Sequence, residues 1–358
     1  MSAVVDARLV GETWIEVSEN LIRSVNSGVN PTADQVIDGT LIPGFIDIHC
    51  HGGAGSYFSN ASRVQDVIKV HRDHGTTGII ASLVTESIED LKVQIAALVP
   101  FYKSGQILGI HLEGPYLSHA RCGAHEPTLL INPDVAEIKE LLEIAKGAIA
   151  MITIAPELPG AIEAIKYLSA AGVKVALGHT NGDFKDAAAG TNAGASIVTH
   201  FLNAMSKELT EGSISSFVLV DERLSVELIL DGHHVPFTTA SEIIRAIGNR
   251  VMLVTDAMAA AGGSDGTYAI GKLEVKVKDS VARLTSNNAL AGSTLTMDQA
   301  FHNAIKNCGA TIPQAVVMSA TNPAKALGLH DRGSITVGKR ADLLTYDLVT
   351  GKISTLNL

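Results

Sequence analysis

The chain of 358 residues is long enough for one large α/β domain with a small appended one. Its 37 acidic residues outnumber 27 basic ones, so a formal net charge of −10 disfavours binding to nucleic-acid phosphates or anionic membranes. Hydrophobic residues make up 46% and charged residues 18%, a composition that excludes a mainly disordered chain.

The sequence carries no targeting or membrane signal that we can identify. Its apolar runs are shorter than the ~20 residues that span a bilayer. Its start, Met-Ser-Ala-Val-Val-Asp, has neither the basic nor the apolar part of a secretory signal. Cys50, Cys122 and Cys308 lack metal-finger spacing and are expected to be reduced thiols. We therefore expect a cytoplasmic protein.

Both ends of the chain are rich in short strand patterns. At the start these are residues 14–17 and 35–38, and at the end they are 334–337, 341–346 and 352–355. Two β-rich ends around an alternating middle predict that the termini together form one small β-sandwich domain, residues 1–42 and 331–358.

Residues 43–330 alternate between apolar strand patterns and helix-period segments. The strand candidates are 41–51, 77–84, 106–113, 149–155, 173–179, 196–200, 224–231 and 250–256. Most are continuous apolar runs, as expected when both faces of a parallel sheet are buried. Eight in succession predict an α/β fold of the (β/α)8 TIM-barrel type. A hairpin is expected at 268–285, followed by helices at 296–307 and 313–327.

Metal-capable side chains stand at the ends of six predicted strands. They are His49 and His51 on the first, Glu113 on the third, His179 on the fifth, His200 on the sixth, His234 just past the seventh and Asp256 on the eighth. The carboxyl ends of barrel strands meet at one mouth. Any one of these histidines alone is better explained as a structural residue, but the combination is specific.

Imidazole nitrogens and carboxylate oxygens suit Zn²⁺ or Fe²⁺. Such an ion polarises a carbonyl and lowers the pKa of bound water from ~15.7 towards ~7. Asp256 is the carboxylate best suited to carry the proton to a leaving group. The sequence thus predicts metal-assisted hydrolysis of an amide-like bond. Asp47 lies on the same inward face as His49 and His51. It could support these ligands through hydrogen bonds, or it could be a buried carboxylate with a purely structural role.

Several segments together resemble the amidohydrolase superfamily and, within it, the N-acetylglucosamine-6-phosphate deacetylase family. They are 43–52 (PGFIDIHCHG), 111–115 (HLEGP), 178–180 (GHT), 199–205 (THFLNAM), 231–234 (DGHH) and 255–256 (TD). The Glu-Gly-Pro motif is the most discriminating. Related dinuclear enzymes carry a carbamylated lysine at the end of strand four, whereas residues 151–155 contain none.

The resemblance implies a role for each matching residue. It makes Glu113, His179 and His200 ligands of the principal metal, His49 and His51 ligands of a second metal, and Asp256 the catalytic acid/base. His125 would polarise the acetyl carbonyl or bind a sugar hydroxyl. The implied substrate contacts are Ala124, His125, Asn203, Ala204, Asp231, His234, Leu290, Ala291 and Gly292.

The resemblance also implies a divalent metal, one or two ions of Zn²⁺ with Fe²⁺, Mn²⁺ or Co²⁺ as alternatives. It further implies an amino-sugar substrate and a homodimer. Cys122 falls in the loop that carries His125, and its role stays open.

One departure from the family pattern concerns the substrate phosphate. The family carries an arginine about eleven residues after the strand-six histidine, and here Glu211 stands near that position. A carboxylate repels phosphate, so we expect weakened or altered phosphate recognition, with Lys207 as a substitute charge. The alternative substrate is a non-phosphorylated or different N-acetylamino sugar.

A catalytically silent binding protein is a further alternative. Such a protein would lack some of the metal ligands or the acid/base residue, and none of these is missing from the sequence.

Overall fold

The computed structural model describes residues 2–5 and 8–356, and its centre is a parallel sheet of eight strands in chain order. The strands are β1 (Phe45–Cys50), β2 (Thr76–Val84), β3 (Gly109–Glu113), β4 (Ile149–Ile154), β5 (Lys174–Leu177), β6 (Ile197–Val198), β7 (Ser225–Ile229) and β8 (Val251–Val254). Just beyond β8, the Asp256 amide donates to the His49 carbonyl of β1 (2.8 Å). Together with the pairing of β1 to β2, this bond closes the ring, which confirms the predicted (β/α)8 barrel.

Helices follow the strands around the outside of the barrel. They are α1 (Val64–Asp73), α2 (Ile88–Lys103), α3 (Val135–Ala145), α4 (Ala161–Ala170), α5 (Phe184–Ala193), α6 (Ile214–Val220), α7 (Phe237–Ile247), α8 (Met297–Lys306), α9 (Ile312–Val316) and α10 (Asn322–Leu327). A π-helical turn, Val317–Thr321, joins the last two. Short 3₁₀ turns occur at Ala61–Arg63, His119–Arg121, Pro127–Leu129 and Gly248–Arg250. Among the described residues, none of these helices combines the length and apolar character needed to span a bilayer.

Both chain ends contribute to a five-stranded sheet beside the barrel, as predicted. In spatial order its strands are Arg8–Val10, Ser2–Val5, Thr40–Pro43, Leu343–Tyr346 and Ile353–Thr355, and Thr13–Ser18 pairs separately with Leu21–Ser27. The predicted strands at 35–38 and 334–337 are wrong. Val36 is 83% exposed and belongs to no strand. Among the described residues, Ile335 makes an isolated bridge to Val5, and bends precede it in the chain.

The segment predicted as one strand over 41–51 divides between the two sheets. Pro43 ends a strand of the terminal sheet, and Phe45 begins β1. Gly44 lies between them, and its amide donates to the Asp342 carbonyl (2.7 Å). A Cβ at residue 44 would lie 2.2 Å from Thr77 Oγ1, so only glycine lets the chain pass between the sheets.

A small antiparallel sheet stands at the barrel mouth after β8. Its strands are Gly266–Ile270, Leu273–Lys278 and Val281–Leu284, which confirms the predicted hairpin and adds a third strand. Val275 and Val277 are buried in a separate apolar cluster that includes Met258 from the loop after β8. The excursion therefore forms one wall of the mouth. A further two-stranded pair, Gly52–Gly53 with Ser56–Tyr57, follows β1.

His71 near the end of α1 could have faced solvent, but it is buried with only 1% of its surface exposed. Its Nε2 donates to the Gly52 carbonyl (2.9 Å) and lies 3.2 Å from Cys50 Sγ, while Nδ1 is buried without a hydrogen-bond partner. The amphipathic pattern of α1 places this ring on the inner face. Burial lowers the pKa of His71 to about 4. The ring is therefore neutral at physiological pH.

We expect this neutral ring to make the metal-free protein less stable in mild acid. In an unfolded chain the same ring titrates near pH ~6.5. Between this value and about 4, only the unfolded chain binds the proton, so the free energy of unfolding falls as pH drops through this window, by roughly 3 kcal/mol. Chemical denaturation of wild type and His71→Gln at pH 7 and pH 4 isolates this contribution. Equal losses of stability in the two proteins would contradict it.

Candidate active site

The predicted metal ligands converge at the carboxyl ends of the strands, and all of them are buried. On one side, the Nε2 atoms of His49 and His51 lie 3.1 Å apart. On the other, the Nε2 atoms of His179 and His200 lie 3.0 Å apart. Glu113 lies between the two pairs. His51 and His200, 149 positions apart in the sequence, are thus both within hydrogen-bond distance of one carboxylate.

Acceptors behind three of the rings determine where their protons lie. Nδ1 of His49 is 2.9 Å from a Glu227 carboxylate oxygen, Nδ1 of His51 is 3.2 Å from the Ser82 carbonyl, and Nδ1 of His179 is 2.9 Å from the Arg121 carbonyl. Carbonyls and carboxylates only accept, so each Nδ1 carries the proton. The Nε2 lone pairs of these rings therefore face the interior of the site.

Glu113 contributes both oxygens to the cluster. Its Oε1 lies 3.1 Å from His179 Nε2 and 2.9 Å from His200 Nε2, and its Oε2 lies 3.0 Å from His51 Nε2. Burial alone would raise the pKa of Glu113, but the surrounding imidazoles hold it well below the ordinary value. In turn, burial alone would lower the pKa of His51, but Asp256 and Glu113 raise it to about 9. The cluster thus attracts positive charge to its centre.

Three of these residues adopt a backbone conformation that L side chains rarely take. The φ angles are +47° at His179, +25° at His200 and +48° at Asp256. Non-glycine residues in this region cost on the order of 1–3 kcal/mol each and concentrate at functional sites. Here the strand turns sharply at its end, and the turn aims the side chain across the mouth instead of along the barrel wall.

Asp256 stands at the rim of the cluster. Its Oδ1 lies 3.3 Å from His51 Nε2 and 3.6 Å from His49 Nε2. Burial would raise the pKa of Asp256, but the positive potential at His49 and His51 lowers it. The carboxylate is therefore ionised and able to accept a proton.

His125 reaches the cluster from the loop after β3. The Thr85 amide donates to its Nδ1 (3.3 Å), so the proton of the neutral ring lies on Nε2, 3.4 Å from Glu113 Oε2. Burial lowers the pKa of His125 to about 4. His125 therefore presents a neutral N–H donor. Gly123 has φ +58°, and a Cβ there would lie 3.1 Å from the His179 ring, so glycine lets this loop approach the site.

A cavity of about 270 Å³ opens beside the cluster. Of the predicted substrate contacts, those that line it are Ala124, His125, Asn203, Ala204, His234, Leu290 and Gly292. Ala291 is fully buried behind this wall. Asp231 does not line the cavity either: it holds His234, whose Nδ1 lies 2.7 Å from Asp231 Oδ2. The apolar part of the lining, which the sequence did not indicate, comes from Val84, Met258, Ile270 and Ala289.

Lys207 is the one lysine or arginine among the described residues that line this cavity. It lies exposed in the loop after β6, as does Glu211, which does not line the cavity. Cys122 is partly buried, unpaired and also outside the lining. The positive charge at the mouth thus belongs to residue 207, and the negative charge of residue 211 stands away from it.

Sequence reasoning missed Glu227, a fully buried carboxylate in β7 behind the cluster. A single glutamate inside the apolar run Ser-Val-Glu-Leu-Ile was the available signal. Asp47, by contrast, contacts no imidazole nitrogen of the cluster. Its oxygens accept from Thr255 Oγ1 (2.6 Å) and from the His49 amide (3.2 Å), which ties β1 to the end of β8. Burial raises the pKa of Asp47 to about 6.

The donor set fits a divalent cation. Two groups of side chains each bring one ligand atom per residue within 4.8 Å of the others: His49, His51, Glu113 and Asp256, and separately Glu113, His179 and His200. The Nε2 atoms of each histidine pair lie about 3 Å apart, so a divalent ion bound between them could be held by both nitrogens. Nitrogen and oxygen donors without thiolate match zinc or another first-row divalent ion.

Comparison with known proteins agrees with this geometry. The sequence profile of the Amidohydrolase family matches residues 40–357. The chain is 33% identical to an N-acetylgalactosamine-6-phosphate deacetylase of Escherichia coli O157:H7, over 97% of this chain and 96% of that protein. It is 35% identical to an N-acetylglucosamine-6-phosphate deacetylase of Lysinibacillus sphaericus, over 86% of this chain and 81% of that protein.

A solved structure gives the same result in three dimensions. The N-acetyl-D-glucosamine-6-phosphate deacetylase of Mycobacterium smegmatis is 40% identical, with a TM-score of 0.93 over 97% of this chain and 94% of that one. The match includes both the barrel and the terminal sheet. On this evidence, the chain belongs to the amidohydrolase family.

Proposed function

We propose that this protein is a metal-dependent deacetylase that hydrolyses N-acetylglucosamine 6-phosphate to glucosamine 6-phosphate and acetate. One observation carries the proposal: the four histidine Nε2 atoms and both Glu113 oxygens converge beside one cavity. Asp256 and His125 also line this cavity. The relatives named above support the substrate class, because each is a deacetylase of an N-acetylated sugar phosphate.

The metal centre in this proposal has two positions that share Glu113. Glu113, His179 and His200 would hold the principal ion, and His49 and His51 would hold a second one with the other Glu113 oxygen. The nitrogen and oxygen donors support Zn²⁺, and Fe²⁺, Mn²⁺ or Co²⁺ would fit the same ligands. When bound, the ion polarises the acetyl carbonyl and makes water more acidic.

The protein's own residues then move the proton and orient the substrate. Ionised Asp256 accepts a proton from water while the water oxygen adds to the acetyl carbon. The same carboxyl returns the proton to the amide nitrogen as the carbon–nitrogen bond breaks, which releases the amine and acetate. The Nε2–H of His125 donates to the carbonyl oxygen or to a sugar hydroxyl.

Lys207 supports phosphate recognition within the same chain. It lines the cavity and has no acidic side chain as an ion-pair partner among the described residues, so its ammonium is free to meet a phosphate. The alternative of a non-phosphorylated sugar rested on Glu211, which does not line the cavity, and the relatives do not favour it.

We also propose that the enzyme works in the cytoplasm as a homodimer, and that residues 1–42 with 331–358 form a domain separate from 43–330. The cysteines are unpaired, as expected of a reducing compartment. Sedimentation and limited proteolysis test the dimer and the domain boundaries.

Metal removal is expected to abolish acetate release from the phosphorylated sugar. The assay compares N-acetylglucosamine 6-phosphate, its C4 epimer and unphosphorylated N-acetylglucosamine, with the metal content measured on the same preparation. We expect a strong preference for the first sugar, loss of activity with a chelator and recovery with Zn²⁺. Full activity in the chelated protein, or equal rates on the sugar without phosphate, would contradict the proposal.

Asp256→Asn is expected to lower kcat by about 10²–10⁴-fold, because asparagine cannot accept the proton. The bound metal should remain, since Glu113, His179 and His200 are unchanged. Glu113→Gln is the companion variant and should lose both activity and metal. A kcat equal to that of wild type in Asp256→Asn would show that Asp256 is not the acid/base.

Lys207→Ala is expected to raise KM for the phosphorylated sugar by about tenfold, since a hydrogen bond to a charged group contributes about 1.5 kcal/mol. Kinetics on the unphosphorylated sugar should change little. Lys185→Ala is the matched control, because Lys185 is an exposed lysine that does not line the cavity. If both variants behave alike, Lys207 does not bind the phosphate.

A further inference from the structure

Glu227 lies behind the candidate metal centre and contacts two of its ligands. Its Oε2 lies 2.9 Å from Nδ1 of His49 and accepts a hydrogen bond from the His200 amide (3.1 Å). The residue has no exposed surface. One carboxylate oxygen thus joins a ligand of β1 to the turn that carries a ligand after β6.

Nothing else among the described residues accounts for a charge at this position. Glu227 has no ion pair with lysine or arginine, and its Oε1 is buried without a hydrogen-bond partner. A carboxylate buried in this way costs several kcal/mol unless a nearby positive charge compensates. The group that Glu227 faces is the His49 ring, whose opposite nitrogen points into the centre, where a bound cation would compensate the charge.

The rings of His49 and His200 are stacked, with centroids 5.5 Å apart and planes 28° apart. His200 Nδ1 has no hydrogen-bond partner, so its ring is not oriented through that atom as the other three rings are. Its orientation depends instead on its backbone turn, which Glu227 holds, and on the neighbouring His49 ring. Glu227 therefore acts on both.

We propose that Glu227 is a positioning residue for the metal centre. Its carboxylate keeps the His49 proton on Nδ1 and holds the His200 turn, so that the Nε2 atoms of both rings face the bound ion. A carboxylate behind an imidazole also makes the ligand nitrogen more basic. The inference rests on the proposed function only in requiring that a divalent ion binds here.

The test is metal binding by Glu227→Gln, which keeps the shape of the side chain and removes its charge. Metal-free protein is titrated with Zn²⁺ against a chromophoric chelator, and thermal unfolding is recorded with and without the ion. We expect zinc affinity to fall about 10–100-fold. The metal-free variant should keep its fold, because glutamine has the same shape and its side-chain oxygen can still accept from the His200 amide.

Asp298→Asn is the matched control. Asp298 Oδ2 lies 2.8 Å from His74 Nδ1, so the same kind of carboxylate–imidazole pair is altered away from the centre. Its zinc affinity should equal that of wild type. Glu227→Asp, which keeps the charge on a shorter side chain, should recover part of the affinity.

Three outcomes would overturn the proposal. Wild-type zinc affinity in Glu227→Gln would show that the carboxylate does not position the ligands. Loss of the metal-free fold in that variant would assign Glu227 a structural role instead. Absence of zinc binding in wild type would also refute the proposed function, so the two failures are distinguishable.

Discussion

Hydrogen-bond acceptors behind the imidazole rings determine what the barrel mouth can bind. The Glu227 carboxylate and two main-chain carbonyls hold the Nδ1 protons of His49, His51 and His179, which leaves the Nε2 lone pairs facing inward. A divalent ion at this point could be bound by the Nε2 atoms of both histidine pairs. Glu113 adds negative charge at the same point, so the site favours a divalent ion before any substrate is considered.

The barrel places the acid/base residue and the substrate cavity beside these metal ligands. Each ligand stands where a parallel strand ends, and the closing bond between β8 and β1 brings Asp256 beside the first-strand histidines. Positive φ angles at His179, His200 and Asp256 turn these side chains across the mouth. The antiparallel excursion after β8 then encloses one side of the cavity, where the apolar walls limit water.

Much of this architecture could be predicted because its signals are local. Continuous apolar runs identified the eight strands, and period-two spacing put His49 and His51 on one face. The features that escaped prediction depend on tertiary contacts. Nothing local distinguishes the buried His71 from a surface histidine. Glu227 was missed because it lies inside its strand, whereas the predicted metal ligands stand at strand ends.

X-ray diffraction from crystals grown with zinc, recorded on both sides of the zinc absorption edge, tests the central claim most directly. The account predicts an anomalous peak at about 2.0–2.2 Å from a Glu113 oxygen and from Nε2 of His179 and His200. A peak remote from Glu113, or ordered side chains at the mouth with no peak in zinc-grown crystals, would contradict it.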